Sequence, residues 1–403
     1  MDSPYHPGFG ARPAVLVGRD AHLARIEAVL TRVQNSGDAA PAHVVFTGAR
    51  GYGKTVILSV AAERATARGF VVAQVALDAV SNGAQMLAAA VAEAVAPLHR
   101  SRAGGAWRAV KQRLSALSIE VNAGVVKIAS GPAAAAGPAI VTVQRQVLAG
   151  ILSGAAQAAR DKDRAGLLIV LDEMQEAPTD GMVVLANAIQ DAAKTPNSPL
   201  AVIGAGLPNT PERIMAAASF TERFNFRTLG RLDEPDAARA LLEPALAVGV
   251  RWTPAAAELA LAAADGSPYL IQYIGDETWT QAAPRARSTI EPDETRRALA
   301  DVRNNLEGGM FRGRWNKATP AEQAVILAIA AVSGDGTATT ADVSATLGAK
   351  SAQWSMARQA LIDKGIIEPA GHGRMRFTMP GFGTFALARS GLDSQEQPSR
   401  PDS

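Results

Sequence analysis

The sequence contains no cysteine and only five histidines among its 403 residues. Disulfides are therefore excluded, and so are zinc sites built from cysteine thiolates. His372, in a glycine-rich turn of the C-terminal region, has no second histidine or cysteine at ligand spacing. We expect it to be a solvent-exposed turn residue rather than a metal ligand.

Long hydrophobic runs are also missing. Apolar residues make up 48% of the chain, but glycine, proline and charged residues interrupt every apolar run. No run approaches the ~18 residues that are needed to span a bilayer. The N-terminal sequence MDSPYHPGFGARP has no basic stretch followed by an apolar one, which is the pattern of a secretory signal. We therefore expect no membrane helix, no signal peptide and a cytoplasmic location.

The chain as a whole has no large excess of positive or negative charge, since its formal net charge is only +2. One segment departs from this balance. Residues 311–389 contain nine lysine and arginine residues against five aspartate and glutamate residues, a net charge of +4. The charges that favour an acidic partner are therefore concentrated near the C-terminus.

The stretch GARGYGKT, residues 48–55, places three glycines, a lysine and a threonine between a predicted strand at 43–47 and a predicted helix at 54–67. This is the pattern of a P-loop, in which backbone N–H groups and the positive end of a helix bind phosphates. Lys54 is expected to contact the β- and γ-phosphates, and Thr55 to bind Mg²⁺. A glycine-rich turn with a chance lysine is the alternative, and the flanking strand and helix argue against it. The predicted nucleotide contacts here are Gly48, Ala49, Arg50, Gly51, Tyr52, Gly53, Lys54, Thr55 and Val56.

A second apolar run, GLLIVL at residues 166–171, ends in the acids Asp172 and Glu173. Such a run is typical of a parallel strand covered on both faces, and ligands of an open α/β sheet bind where these strands end. The pair looks like a Walker B motif. Asp172 would hold Mg²⁺, mostly through its water shell, and Glu173 would orient or deprotonate the attacking water. Two acids after a strand are also common as a helix cap, but the P-loop favours the Walker B interpretation.

A residue that senses the γ-phosphate is expected after a further predicted strand, residues 200–205. Ala205 and Gly206 stand at the end of that strand, and neither carries a polar side chain. In one interpretation Asn209 or Thr210 takes the sensing role, and in the other the chain has no such sensor.

Arg223 precedes a fifth predicted strand, residues 226–229. At this place an arginine can enter the active site of a neighbouring subunit in an ATP-dependent oligomer, which makes Arg223 a candidate catalytic residue. A surface salt bridge with Glu222 or another acid is an equally good interpretation.

From residue 232 onward the pattern becomes helical. Residues 233–248, 253–264, 268–282 and 291–306 form a predicted set of four helices. Beyond them, three predicted helices are followed by a two-stranded ribbon, which is the outline of a winged helix. The first of these helices opens with a capping box at residues 319–322.

The third of these helices and the ribbon predict a DNA-binding surface. Lysine, arginine and glutamine side chains on the outward face of such a helix suit DNA phosphates and grooves. Winged helices also dock on proteins, and a charge of +4 is modest, so this alternative stays open. The predicted nucleic-acid contacts are Lys350, Gln353, Trp354, Arg358, Arg374 and Arg376.

Taken together, VGRD at residues 17–20, GARGYGKT, LLIVLDE, the helical GSP segment and the C-terminal ribbon resemble AAA+ ATPases of the origin-recognition and initiator type. The resemblance covers most of residues 15–389. It implies that Val17, Gly18 and Arg19 contact the nucleotide at its adenine. The origin-recognition proteins place a sensor arginine in the helical lid, where this chain has GSPY. The Gly-x-Pro sequence at this place is similar to that of the STAND signalling ATPases. This similarity implies that Pro268 packs near the base of the nucleotide.

The expected fold class is therefore α/β, with a three-layer P-loop core, an all-α lid and a C-terminal winged helix. The expected function is that of an ATP- and Mg²⁺-binding switch that hydrolyses ATP slowly and binds double-stranded DNA. A STAND-like regulator that docks on protein is one alternative, and a nucleotide-binding scaffold without turnover is another. The expected segments are a disordered N-terminus at 1–14, a core at 15–231 with an insertion at about 100–140, a lid at 232–308, a winged helix at 309–389 and a disordered tail at 390–403.

Overall fold

The computed structural model describes residues 1–8, 10–99, 105–117, 119–122, 125–128 and 138–396. The chain divides into two compact units. The first, which we call the core unit, consists of Arg19–Gly48 and Lys54–Leu229. The second, the C-terminal unit, consists of Met1–Gly18, Ala49–Gly53 and Gly230–Ser403. The short segment Ala49–Gly53, which we call the loop tip, thus groups with the C-terminal unit.

The core unit is built on a five-stranded parallel sheet, which confirms the predicted α/β fold. Its three inner strands are almost entirely buried, as expected for a parallel sheet with helices on both faces, whereas its two edge strands are partly exposed. They are β1 (Val44–Thr47), β2 (Phe70–Ala76), β5 (Gly166–Asp172), β6 (Leu200–Gly206) and β7 (Asn225–Thr228), in the spatial order β2-β5-β6-β1-β7.

The helices of the core unit alternate with these strands. They are α1 (Asp20–Ser36), α2 (Lys54–Ala67), α3 (Gly83–Val95), α4 (Gly105–Ser115), α5 (Pro138–Arg160), α6 (Thr179–Ala193) and α7 (Thr210–Ala217). The buried residues of helix α2 are nearly all apolar, because this helix lies against the sheet.

An insertion separates β2 from β5. Within it, β3 (Ile119–Asn122) pairs antiparallel with β4 (Val125–Ile128). Trp107 of α4 is buried, so the insertion belongs to the hydrophobic core of this unit. Residues 129–137 of the insertion lie outside the described residues.

The lid part of the C-terminal unit contains the four predicted helices, α8 (Glu234–Ala247), α9 (Pro254–Ala264), α10 (Pro268–Ala282) and α11 (Pro292–Leu306). Asp233, Thr253 and Ser267 cap three of them with their side-chain oxygens, and proline follows in the first turn each time. The sequence analysis missed a two-stranded parallel ladder here, β8 (Arg251–Trp252) with β9 (Thr289–Ile290).

The remainder of this unit has the element order of a winged helix. A π-helical turn (Glu307–Phe311) and α12 (Arg312–Asn316) lead to α13 (Pro320–Ser333), α14 (Thr340–Leu347) and α15 (Ser351–Asp363). The ribbon has three strands rather than the predicted two, because β10 (Thr337–Thr339) pairs with β12 (Arg374–Phe377), which also pairs with β11 (Ile367–Pro369). Phe377 and Phe382 meet edge to face in the core of this region.

The structure describes parts of both segments that we expected to be disordered, residues 1–14 and 390–403. Tyr5 is 2% exposed, donates its hydroxyl to the carbonyl of Leu241 at 2.6 Å and accepts a hydrogen bond from the Trp252 indole at 2.9 Å. Gly275 leaves room for the Tyr5 ring, since a Cβ there would lie 2.6 Å from it. The proline- and glycine-rich composition of the segment hid this single aromatic anchor. At the other end, helix α16 (Phe382–Glu396) runs into the predicted tail, whose last seven residues lie outside the described part.

Within the described residues, none of the helices combines the length and the apolar character that crossing a membrane requires.

Candidate nucleotide-binding site

The predicted P-loop connects β1 to α2, as its sequence pattern requires. Gly51 and Gly53 have φ angles of +87° and +83°, a region of backbone space that L-residues with a side chain rarely occupy. Gly48 is needed for another reason, because a Cβ there would lie 2.5 Å from the carbonyl oxygen of Leu229. The shape of the turn therefore requires glycine at all three positions of the motif.

Lys54 begins helix α2 and is 7% exposed. Its ammonium group donates a hydrogen bond to the carbonyl oxygen of Gly48 at 2.9 Å, so the charge lies at the base of the loop. A buried ammonium group held in this place is suited to bind phosphate oxygens, which are stronger partners than a carbonyl.

The two predicted Mg²⁺ ligands lie together. The Thr55 hydroxyl donates to Oδ2 of Asp172 at 2.8 Å, although the residues are 117 positions apart in sequence. The other oxygen of Asp172, Oδ1, accepts the backbone N–H of Glu173 at 2.8 Å. These residues fit Mg²⁺, which is bound by a few hard oxygen atoms and completes its octahedron with water and phosphate oxygens. Among the described residues, no cluster of three or more acidic, histidine or cysteine side chains offers a different metal site.

Glu173 follows β5 in the left-handed backbone region, with φ of +51°. Its carboxylate accepts a hydrogen bond from the side-chain amide of Gln175, which is itself 7% exposed. The carbonyl oxygen of the same amide accepts the backbone N–H of Leu207, just beyond β6, at 2.9 Å. The sequence analysis assigned no role to Gln175; the bare strand end at Gly206 was the one signal that pointed to it.

The two sensor candidates lie at the start of α7. Thr210 is fully buried, and neither its hydroxyl oxygen nor the Oδ1 atom of Asn209 has a hydrogen-bond partner in the described part of the chain. Asn209 is half-buried, and the sensing role of either residue stays a prediction.

Arg223 is exposed at the end of a short 3-10 helix, Ser219–Arg223. The expected pairing with Glu222 is not observed, and no other acid of the described residues forms an ion pair with Arg223. An exposed arginine in this place is compatible with a role in a neighbouring subunit, which stays a prediction.

The adenine-contact candidates are distributed over both units. Val17 is buried in the hydrophobic core of the C-terminal unit, and a Cβ at Gly18 would lie 2.7 Å from Asp236 of α8. Arg19 is 7% exposed and precedes α1 in the core unit. Pro268 is half-buried in the first turn of α10.

The loop tip makes polar contacts within the C-terminal unit. The Tyr52 hydroxyl donates to Oε2 of Glu368, on β11, at 2.8 Å. Arg231 donates to Oε1 of the same carboxylate at 2.9 Å and also pairs with Asp265. The backbone N–H of Tyr269 donates to the carbonyl of Gly51 at 3.2 Å. Burial raises the pKa of the Tyr52 hydroxyl, and the nearby Glu368 charge adds to this, so that the hydroxyl stays a donor.

The predicted DNA-binding residues fall into two groups. Lys350, Gln353 and Arg374 are exposed, and Arg358 is half-buried with its Nε atom free of hydrogen-bond partners in the described part of the chain. These four residues lie on α15, at its N-cap and at the start of β12.

Trp354 and Arg376 do not match the prediction. Trp354 is 5% exposed and donates its indole N–H to Ser344 at 3.1 Å, because its face of α15 packs against α14. Arg376 is half-buried and pairs with Glu368 at 2.8 Å. Helical spacing alone placed Trp354 outward, and the ion pair of Arg376 had no signal in the sequence.

Comparison with known protein families gives two matches. Residues 15–203 match the family described as AAA ATPase domain. Residues 308–386 match a family described as a domain of unknown function (DUF8462). A comparison with curated proteins gave no match.

Several solved structures are similar in fold. The Walker-type ATPase PABY2304 of Pyrococcus abyssi has a TM-score of 0.58 at 13% identity, over 93% of this chain and 97% of that one. Cdc6p from Pyrobaculum aerophilum has a TM-score of 0.48 at 14% identity, over 97% and 98% of the two chains. The ORC1 protein of Aeropyrum pernix, solved in complex with DNA, has a TM-score of 0.45 at 16% identity, over 96% of each chain. The first of these shows a shared fold along nearly the whole chain.

The position of Lys54 leads to a first prediction. Lys54→Ala removes the buried cation at the base of the loop, and each charge-assisted hydrogen bond that it would form with phosphate contributes about 1.5–3 kcal/mol. We expect ATP affinity to fall by roughly 100-fold or more, measured by calorimetry or by displacement of a fluorescent nucleotide. Lys194→Ala, which removes an exposed lysine of the same unit, is the control. Unchanged ATP affinity in Lys54→Ala would show that the loop does not bind phosphate.

Proposed function

We propose that this chain, whose residues 15–203 match the family described as AAA ATPase domain, binds ATP with Mg²⁺ and hydrolyses it to drive a conformational switch. The observation that supports this best is the hydrogen bond between Thr55 and Asp172. It joins the P-loop to the acidic end of β5, two sequence motifs that bind the same metal ion in P-loop NTPases.

Each residue has a separate task in this proposal. The backbone N–H groups of the loop and the ammonium group of Lys54 bind the β- and γ-phosphates. Thr55 and Asp172 hold Mg²⁺, which supplies charge stabilisation for phosphoryl transfer when bound. Glu173 accepts a proton from the attacking water, since its carboxylate follows the same strand as Asp172 and is half-buried.

The second prediction tests hydrolysis. Glu173→Gln keeps the shape of the side chain but cannot accept a proton, so we expect the turnover number to fall by about 100-fold or more while ATP affinity stays near the wild-type value. Phosphate release and nucleotide binding are measured on the same samples. Asp172→Asn should instead weaken the Mg²⁺-dependent part of binding. Glu212→Gln, at an exposed position of α7, is the control. Equal turnover in wild type and Glu173→Gln would remove Glu173 from the reaction.

The switch is proposed from the contacts of the loop tip. Glu368 of β11 accepts hydrogen bonds from Tyr52, Arg231 and Arg376, and the Arg231 side chain is only 8% exposed. Tyr52 lies between two glycines of the phosphate-binding loop. A change in the loop on nucleotide binding would therefore alter a partly buried ion cluster in the winged-helix region, and the state of that region would alter nucleotide affinity in return.

The third prediction tests this coupling. Tyr52→Phe removes one hydrogen bond to the Glu368 carboxylate, a class of bond that contributes about 1.5–3 kcal/mol. If the bond holds the loop in one state of the switch, we expect ADP release to change by roughly tenfold or more, measured by stopped-flow displacement of a fluorescent ADP. Tyr273→Phe is the matched control, since it removes a hydroxyl bonded to Asn305 in the same unit. Identical release rates for Tyr52→Phe and wild type contradict the coupling.

Double-stranded DNA is the partner that we propose for the winged-helix region. Lys350, Arg358 and Arg374 carry no ion pair with an acid in the described part of the chain, and two of them are exposed. Side chains of this kind can contact phosphates without breaking an ion pair of their own, and each such contact releases counterions that are condensed on the DNA. Arg376 and Trp354 are engaged within the unit, so the proposed surface is smaller than the sequence suggested.

The fourth prediction concerns this surface. We expect the triple change Lys350→Ala, Arg358→Ala and Arg374→Ala to weaken duplex binding and to reduce the salt slope by about 0.9 for each phosphate contact that is lost. Binding is measured by fluorescence anisotropy at several salt concentrations, with ATP and with ADP. The triple change Arg239→Ala, Arg285→Ala and Arg296→Ala removes the same charge from exposed lid positions and is the control. ATP turnover should survive both changes.

A full-length protein that binds no duplex at low salt with either nucleotide contradicts the DNA proposal. Docking of the winged-helix region on a protein would then be the better explanation of the Glu368 cluster. An oligomer that receives Arg223 in a neighbouring active site would be recognised if Arg223→Ala lowers turnover only at concentrations where the protein assembles.

A further inference from the structure

The end of β6 carries no side chain at its last position, and the side chains around it leave no room for one. Strand β6 lies between β5, which ends at the acidic pair, and β1, which leads into the P-loop. Its last residue is Gly206. A Cβ at this position would lie 2.7 Å from Oε1 of Gln175 and 2.2 Å from Oγ1 of Thr210. The space above the strand end is therefore filled by side chains that come from elsewhere.

Gln175 is the polar group that enters this space and also contacts the proposed reaction site. Its Oε1 atom accepts the backbone N–H of Leu207 at 2.9 Å. Its Nε2 atom donates to the Glu173 carboxylate and, at 3.2 Å, to Glu176. One buried amide thus connects the end of β6 to the proposed general base.

The backbone of Glu173 shows why such a connection matters. A φ of +51° places a non-glycine residue in the left-handed region, at a cost of about 1 kcal/mol or more. A side chain on a strained backbone keeps one orientation only if its neighbours fix it. The contacts of Glu173 include a bond from its backbone N–H to the Asp172 carboxylate and a bond from the Gln175 amide to its own carboxylate, and the second of these orients the side chain.

We propose that Gln175 is a positioning residue for hydrolysis, which holds the Glu173 carboxylate in register with the end of β6 in place of a side chain at position 206. The inference rests on the proposed ATPase function. A displacement of the β6 end would move the amide of Gln175 and, with it, the carboxylate of Glu173. The purely structural alternative is that Gln175 only satisfies the buried N–H of Leu207.

Two variants of Gln175 separate these roles. Gln175→Glu keeps the length and the acceptor for Leu207 but loses the donor to Glu173. Gln175→Met keeps the length of the side chain but loses both the acceptor for Leu207 and the donor to Glu173. If Gln175 positions Glu173, the turnover number falls at least tenfold in Gln175→Glu, whereas KM for ATP and the affinity for ADP stay within about twofold. Gln157→Glu, the same change at a half-buried glutamine of α5 whose amide donates to the carbonyl of Pro196, should have no effect. The melting temperature of each variant identifies any that fails to fold, in which case the other carries the test.

A double-mutant cycle with Glu173→Gln completes the experiment. A residue that acts through Glu173 has no further effect once Glu173 is inactive, so the change at Gln175 should lower the residual turnover by less than twofold in that background. An equal loss in both backgrounds, or wild-type turnover in Gln175→Glu and Gln175→Met, overturns the inference alone. Absence of ATP turnover in the unaltered protein, with Mg²⁺ and saturating ATP, overturns the proposed function and this inference with it.

Discussion

The hydrogen bond between Thr55 and Asp172 is the contact on which the rest of the candidate site depends. It requires that the first turn of α2 and the end of β5 reach the same point, although β6 separates β5 from β1 in the sheet. Parallel strands make this possible, because all of their carboxyl ends lie at one edge. The buried apolar sequences of β1, β5 and β6 therefore serve the chemistry indirectly, by holding three strand ends in register.

The loop that follows β1 has two different roles along its length. Gly48, Lys54 and Thr55 belong to the core unit, where they are placed next to Leu229 and Asp172. The loop tip belongs to the C-terminal unit, where Tyr52 meets Glu368. Glycine at positions 51 and 53 allows the loop backbone to adopt the positive φ angles that it has there.

The sequence was sufficient to predict the features that depend on local pattern. The buried strands, the capped helices of the lid and the glycine-rich turn each follow from residue spacing within about 20 positions. The features that it did not predict depend on contacts between distant residues. Nothing in the sequence near Gln175 shows that Gly206 and Leu207, at the end of β6, lie beside it in the fold. The position of Trp354 along its helix is compatible with either face, and only the contact with α14 shows that it is buried. The ladder of β8 with β9 is two residues long on each side, too short for any alternation to appear.

The burial of Tyr5 has a consequence for the order in which the protein is assembled during synthesis. Its hydroxyl bonds to Leu241, 236 positions later in the chain, and its ring packs edge to face against Trp252 and Trp279. At a ribosomal rate of about 5–20 residues per second, these partners emerge tens of seconds after Tyr5. The N-terminal residues must wait unpaired during this interval, while the core unit between them has time to fold. The core of the lid is therefore completed only after residues 241–279 have been synthesised, although Tyr5 is made long before them.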